Sequence, residues 1–119
     1  MTSEPSQDLA GLRDALRHFA AERDWDQFHS PRNLATSICI ESAELLERFQ
    51  WADPRSDQLT GEERAAIRLE LADVLLYLVR LADKLDIDPI AAAHEKMAIN
   101  ASKYPVDKAR GSSRKYDQL

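Results

Sequence analysis

The chain has 119 residues, of which 44% are hydrophobic and 31% charged; that length fits one packed domain and excludes two, and the composition excludes wholesale disorder. A net charge of −5 argues against broad binding to a nucleic-acid backbone, which takes clustered Lys and Arg. No apolar run approaches the roughly 20 residues of a membrane span, whereas a single nucleotide stays compatible with an acidic surface because divalent cations reverse the local sign.

Only 3 Gly and 5 Pro interrupt a chain rich in Leu, Ala and Ile, which favours helix over sheet. The first helix is expected over residues 8–23, with Leu9, Leu12, Leu16 and Phe19 or Ala20 at three- and four-residue spacings. An aromatic connector follows, Asp24-Trp25-Asp26-Gln27-Phe28-His29. Ser30-Pro31 then supplies an N-cap hydroxyl and a proline at the first helical position, opening a second helix to about Gln50. Residues 52–59 contain Asp53-Pro54 and read as a loop. Thr60 and Glu63 form a capping box for a third helix to about Leu85; its stretch 69–82 is apolar on nearly every side, which predicts a central, well-buried element. Asp88-Pro89 caps and opens a fourth helix, which should end just before Pro105.

Four amphipathic helices with short links imply an all-α fold, an antiparallel four-helix bundle. We expect one domain over residues 1–119, with flexible tails at about 1–7 and 106–119. A chain this short has a modest core, so completion by a homodimer or homotetramer is expected. Residues 1–9 are polar and acidic without the apolar stretch of a signal peptide, and the lone Cys39 has no partner for an internal disulfide; the expected location is cytoplasmic.

The second and third helices carry the chemistry. Glu41 and Glu44 are three residues apart, as are Glu70 and Asp73, which puts each pair on one helical face, about 5–6 Å apart at Cβ. Both pairs sit in apolar surroundings, Ile38-Cys39-Ile40 before the first and Val74-Leu75-Leu76 after the second. Carboxylates there need a positive counter-charge. Mg²⁺, with Mn²⁺ as a substitute, suits an all-oxygen set. Zinc would want His or Cys, and a di-iron site a Glu-x-x-His on each of two helices. Against this stands the ordinary reading of acidic residues three apart as a solvated helix face, as for Glu62-Glu63 beside the helix dipole. Glu47, one turn after Glu44, is open between ligand, base for a water, and solvated side chain.

These residues carry a resemblance. Glu41-x-x-Glu44 followed after a loop by Glu70-x-x-Asp73 resembles the signature of the all-α nucleoside triphosphate pyrophosphohydrolases, the MazG-like group. Glu22-Arg23-Asp24-Trp25-x-Gln27-Phe28-His29-x-Pro31-Arg32-Asn33-Leu34, Glu44-Leu45-x-Glu47-x-Phe49-Gln50-Trp51, Lys96-Met97-x-Ile99-Asn100, Tyr104-Pro105 and Ser112-Ser113-Arg114-Lys115-Tyr116 are similar to its dCTP-hydrolysing branch, in the same order over residues 12–119. The resemblance implies Mg²⁺-dependent hydrolysis of dCTP, and of modified dCTP, to the monophosphate and pyrophosphate. It implies Glu41, Glu44, Glu70 and Asp73 as metal ligands. It places Trp25, Asp26, Gln27, Phe28, His29, Trp51 and Tyr77 in a nucleotide pocket, with Lys96 and Asn100 closing it. Glu44 or Glu47 would take a proton from water, and Lys96 would stabilise charge on the leaving group. Leu16 stands where the mammalian enzymes of that branch have a histidine, so the base stays open between cytosine and uracil. Two further readings remain: a house-cleaning pyrophosphatase acting on several nucleotides or dUTP, and a helical metal-binding interaction module without enzymatic activity.

Overall fold

The computed structural model describes residues 7–119; the part of the predicted N-terminal tail before residue 7 lies outside the described residues. The fold is all-helical, with no strand among the described residues. Helix α1 runs Leu9–Glu22, α2 Pro31–Glu47, α3 Gly61–Lys84, α4 Pro89–Lys103 and α5 Val106–Ala109, with 3₁₀ turns at Asp26–Phe28, Ser56–Gln58 and Tyr116–Gln118. Two compact units divide the chain, one ending at Asp86 and the other Ile87–Leu119.

Side chains at the helix starts explain the boundaries. Asp8 caps α1 by accepting from the Gly11 amide at 2.8 Å, and Ser30 caps α2 by accepting from Asn33 at 3.2 Å with Pro31 following. Thr60 and Glu63 form the reciprocal capping box of α3, with bonds of 3.1 and 3.2 Å, and Asp88 accepts from Ile90 and Ala91 to start α4. Each satisfies amides that the first helical turn leaves without partners. At the other end of α1, Asp24 takes a left-handed φ of 53°. Its amide bonds Ala21 O at 3.2 Å and the Trp25 amide bonds Ala20 O at 2.9 Å, a Schellman closure that turns the chain sharply into the aromatic connector. The second helix ends earlier than expected: the amides of Arg48, Phe49 and Gln50 reach back only three residues, so the chain tightens into a turn over the stretch read as a last helical turn.

In the first unit α3 packs mainly against α2 and less extensively against α1. Leu34 on α2, 1% exposed, Ala20 on α1 and Val79 on α3 form the apolar core among the described residues. The prediction of a well-buried 69–82 stretch holds on one side only, because Leu69, Leu71, Leu75 and Leu78 are exposed. A helix apolar all round needs cover on every face, and two neighbouring helices cover part of it. In the second unit, residues 91–100 of α4 are exposed throughout. Gly111, at φ 74°, turns the chain after α5, and the Tyr116 ring meets Tyr104 edge-on at 6.1 Å. No helix among the described residues is long and apolar enough to cross a membrane.

Candidate metal and nucleotide site

The packing of α2 on α3 brings the two acidic pairs towards each other. Carboxylate oxygens of Glu41, Glu44 and Glu70 lie within 4.8 Å of one another. Glu41 and Glu70 are half-buried and Glu44 exposed, so the cluster is open to solvent on one side. Oε2 of Glu41 and Oε2 of Glu70 are buried and have no hydrogen-bond partner among the described residues. A buried carboxylate oxygen without a donor costs about 1–3 kcal/mol or more, which a cation would remove. Burial pushes the Glu41 carboxyl above its ordinary value, aided by a hydrogen bond with Glu44 and by the charges of Glu44, Asp73 and Glu70. Asp73 is half-buried and electrostatically felt by Glu41, but it is not one of the three carboxylates that converge. The donor set is hard oxygen throughout, which fits a magnesium-like ion.

Arg48, at the end of α2, places Nη2 3.2 Å from Glu70 Oε1. Spacing along one helix carries no sign of that contact, because it joins α2 to α3. Glu47 is exposed at the last position of α2. Tyr77, half-buried on α3, lies one turn beyond Asp73. Trp51 stands 90% exposed after the α2 turn. Lys96 and Asn100 are exposed on α4, in the second unit.

The connector after α1 is tightly braced. Trp25, 44% exposed, meets Phe19 edge-on at 5.7 Å, and Phe28 is 58% exposed. The Gln27 amide donates to the Asp24 carbonyl and carboxylate, each at 3.0 Å, and Asn33 Nδ2 donates to Phe28 O at 2.9 Å. Asp26 accepts from Arg80 Nη2 at 2.6 Å and from Lys84. His29 Nδ1 accepts from Arg80 Nε at 3.1 Å. Arg80 also reaches Asp83 at 3.4 Å, whose carboxylate is held by Arg17 of α1 at 2.5 and 2.7 Å. The side chains of Asp26 and Gln27, expected to meet a nucleotide, are thus engaged within the turn and with α3. The sequence reading missed Arg17, Arg80, Asp83 and Lys84. Arg80 carried a legible signal, a charge embedded in Leu78-Val79-Arg80-Leu81, the same signal that marked Glu41 and Asp73.

Comparisons with known proteins point to one family. A family model described as the MazG-like family matches residues 36–119. The chain is 47% identical over 118 residues to dCTP pyrophosphatase 1 of Homo sapiens, covering 97% of this chain and 69% of that protein. It is 45% identical over 121 residues to dCTP pyrophosphatase 1 of Bos taurus, covering 99% and 70%. A crystal structure of a pyrophosphatase from Archaeoglobus fulgidus superimposes with a TM-score of 0.75 at 42% identity, covering 88% of this chain and 99% of that one. With a matching helical fold, a converging acidic cluster and relatives of this identity over nearly its whole length, the chain belongs to the MazG-like family.

Proposed function

We propose that this protein is a Mg²⁺-dependent nucleoside triphosphate pyrophosphohydrolase that converts dCTP to dCMP and pyrophosphate and so limits the nucleotide pool. The observation that carries the reading is the Glu41, Glu44 and Glu70 cluster with two buried, unpartnered carboxylate oxygens. The choice of dCTP draws on the names of the relatives.

Glu41, Glu44, Glu70 and Asp73 are the proposed ligands, for Mg²⁺ first and Mn²⁺ as a substitute. Bound there, the cation supplies Lewis acidity towards phosphate oxygens and water. Glu44, or the exposed Glu47 one turn on, accepts the proton of the attacking water. Lys96 neutralises charge that develops on the departing pyrophosphate. Trp25 and Phe28 offer ring faces to the base, a contact worth about 1–3 kcal/mol per stacked base. By the resemblance, Trp51, Tyr77, Asn100, Asp26, Gln27 and His29 are further proposed nucleotide contacts, and Asp26 and Gln27 also hold the turn in shape. Leu16 has no hydrogen-bonding group, so selection of cytosine rests on other donors.

The exposed apolar residues on α3 and α4 support assembly with further copies of the chain, as a homodimer or homotetramer. A single free cysteine, Cys39, suits a reducing compartment, and we assign the protein to the cytoplasm. The test of substrate is pyrophosphate release from the common dNTPs, dUTP and 5-methyl-dCTP, with and without Mg²⁺. Magnesium-dependent turnover confined to the cytosine nucleotides is expected. Equal turnover of dUTP or of all of them would replace the base assignment, and no release from any would overturn the enzymatic reading.

A further inference from the structure

Arg80 is the one charged residue of the core among the described residues, its side chain 7% exposed. It lies on α3 and spans to the connector, with Nε on His29, Nη2 on Asp26 and Nη1 on Asp83. Burying such a charge seldom improves on a well-packed apolar side chain of the same size. The geometry therefore asks what the arginine does for its partners.

A guanidinium has only donors and keeps its proton in proteins. His29 Nδ1, 3.1 Å from Arg80 Nε, must accept, since a proton on Nδ1 would set N–H against N–H. The ring proton of a neutral imidazole then sits on Nε2. We propose that Arg80 is a positioning residue that fixes His29 as the Nε2–H tautomer, presented from the 24–29 turn as a single N–H donor to an uncharged acceptor, a carbonyl or ring nitrogen, on the nucleobase.

An uncharged donor is the wrong device for phosphate, where an imidazolium would bind better. It suits a base acceptor, and the same turn carries the partly exposed aromatic side chains of Trp25 and Phe28. The charged groups around the ring agree: burial, then Arg80 and Lys84 of α3, push the His29 titration below its ordinary value, opposed only by Asp26. The proposal rests on the reading that this turn faces the nucleotide.

Ring ¹⁵N–¹H NMR of the full chain with Mg²⁺ reads the tautomer directly; the other two histidines, His18 and His94, are exposed. Wild-type protein should show the His29 proton on Nε2 and no titration from neutral to mildly alkaline pH. Arg80→Met should release the ring to a tautomer mixture with a higher pKa and raise KM for dCTP about tenfold, the loss of one hydrogen bond of about 1.4 kcal/mol, with little change in kcat. Arg80→Lys, which keeps the charge but lacks Nε, should also release the tautomer, and serves if the Met variant fails to fold. A wild-type proton on Nδ1 overturns the proposal, as does a released tautomer with unchanged KM. A wild-type protein inert towards every nucleotide overturns the functional reading and the role of His29 with it, and is told apart because the ring spectrum needs no turnover.

Discussion

Glu41 and Asp83 show how the same side chain chemistry is driven in opposite directions by its neighbours. Glu41 faces other carboxylates, and burial with their charges raises its carboxyl. Asp83 faces guanidinium groups: the Arg17 hydrogen bonds, with Arg17, Arg80 and Arg13 charges behind them, hold it below the usual carboxylate range against the opposing effect of burial. A depressed carboxyl stabilises the fold above its unfolded value and loses that contribution as pH falls through its folded value, here below the usual carboxylate range. Asp83→Asn is accordingly expected to be less stable than wild type at neutral pH by about 1 kcal/mol, the Arg17 side being half-exposed. The difference should narrow as pH falls below the usual carboxylate range, read from urea midpoints at pH 7 and about pH 3. The residues of this network escaped the sequence reading because their contacts join α1, the connector and α3. Glu41, Glu44 and Glu70 were legible because an i, i+3 spacing states a shared face without any knowledge of packing. Asp73 shares that face with Glu70, but which carboxylates converge depends on how α2 lies on α3, and spacing along one helix does not contain that.

At the scale of the element, the caps carried the prediction. Ser30-Pro31, Thr60 with Glu63, and Asp88-Pro89 each bond the amides expected of them, so the four long helices begin within a residue of their expected starts. The end of α2 was not legible, since a tightening from helix to turn at Arg48–Gln50 leaves the composition helical. Helix α5 and the 3₁₀ turns, of three or four residues each, are too short to show periodicity. The capping box on α3 makes a direct prediction. Thr60→Ala removes the acceptor for the Glu63 amide and should cost about 1 kcal/mol, measured as a fall in thermal midpoint of a few degrees, whereas Glu62→Ala, outside the box, should cost less.

The whole molecule has more apolar surface than one chain hides. Leu46, Trp51, Leu69 and Met97 are each more than half exposed, while full burial of such a side chain contributes about 1.5–3 kcal/mol. Light scattering after size exclusion should therefore give a mass of at least two chains, with a thermal midpoint that rises with protein concentration. A monomer with a concentration-independent midpoint would contradict the proposed assembly. Length and composition already pointed to this shortage of core; which faces remain uncovered was not legible, because the 69–82 stretch is apolar all round and reads as buried whichever side is packed.

The acidic cluster as the catalytic metal site is the central claim, and pyrophosphate release from dCTP by wild type and Glu70→Gln, with and without Mg²⁺, tests it most directly. The account predicts release by wild type only with Mg²⁺ and a loss of at least about 10²-fold in the variant, the scale of removing one electrostatic contributor to the transition state. A Glu70→Gln protein as fast as wild type would contradict it.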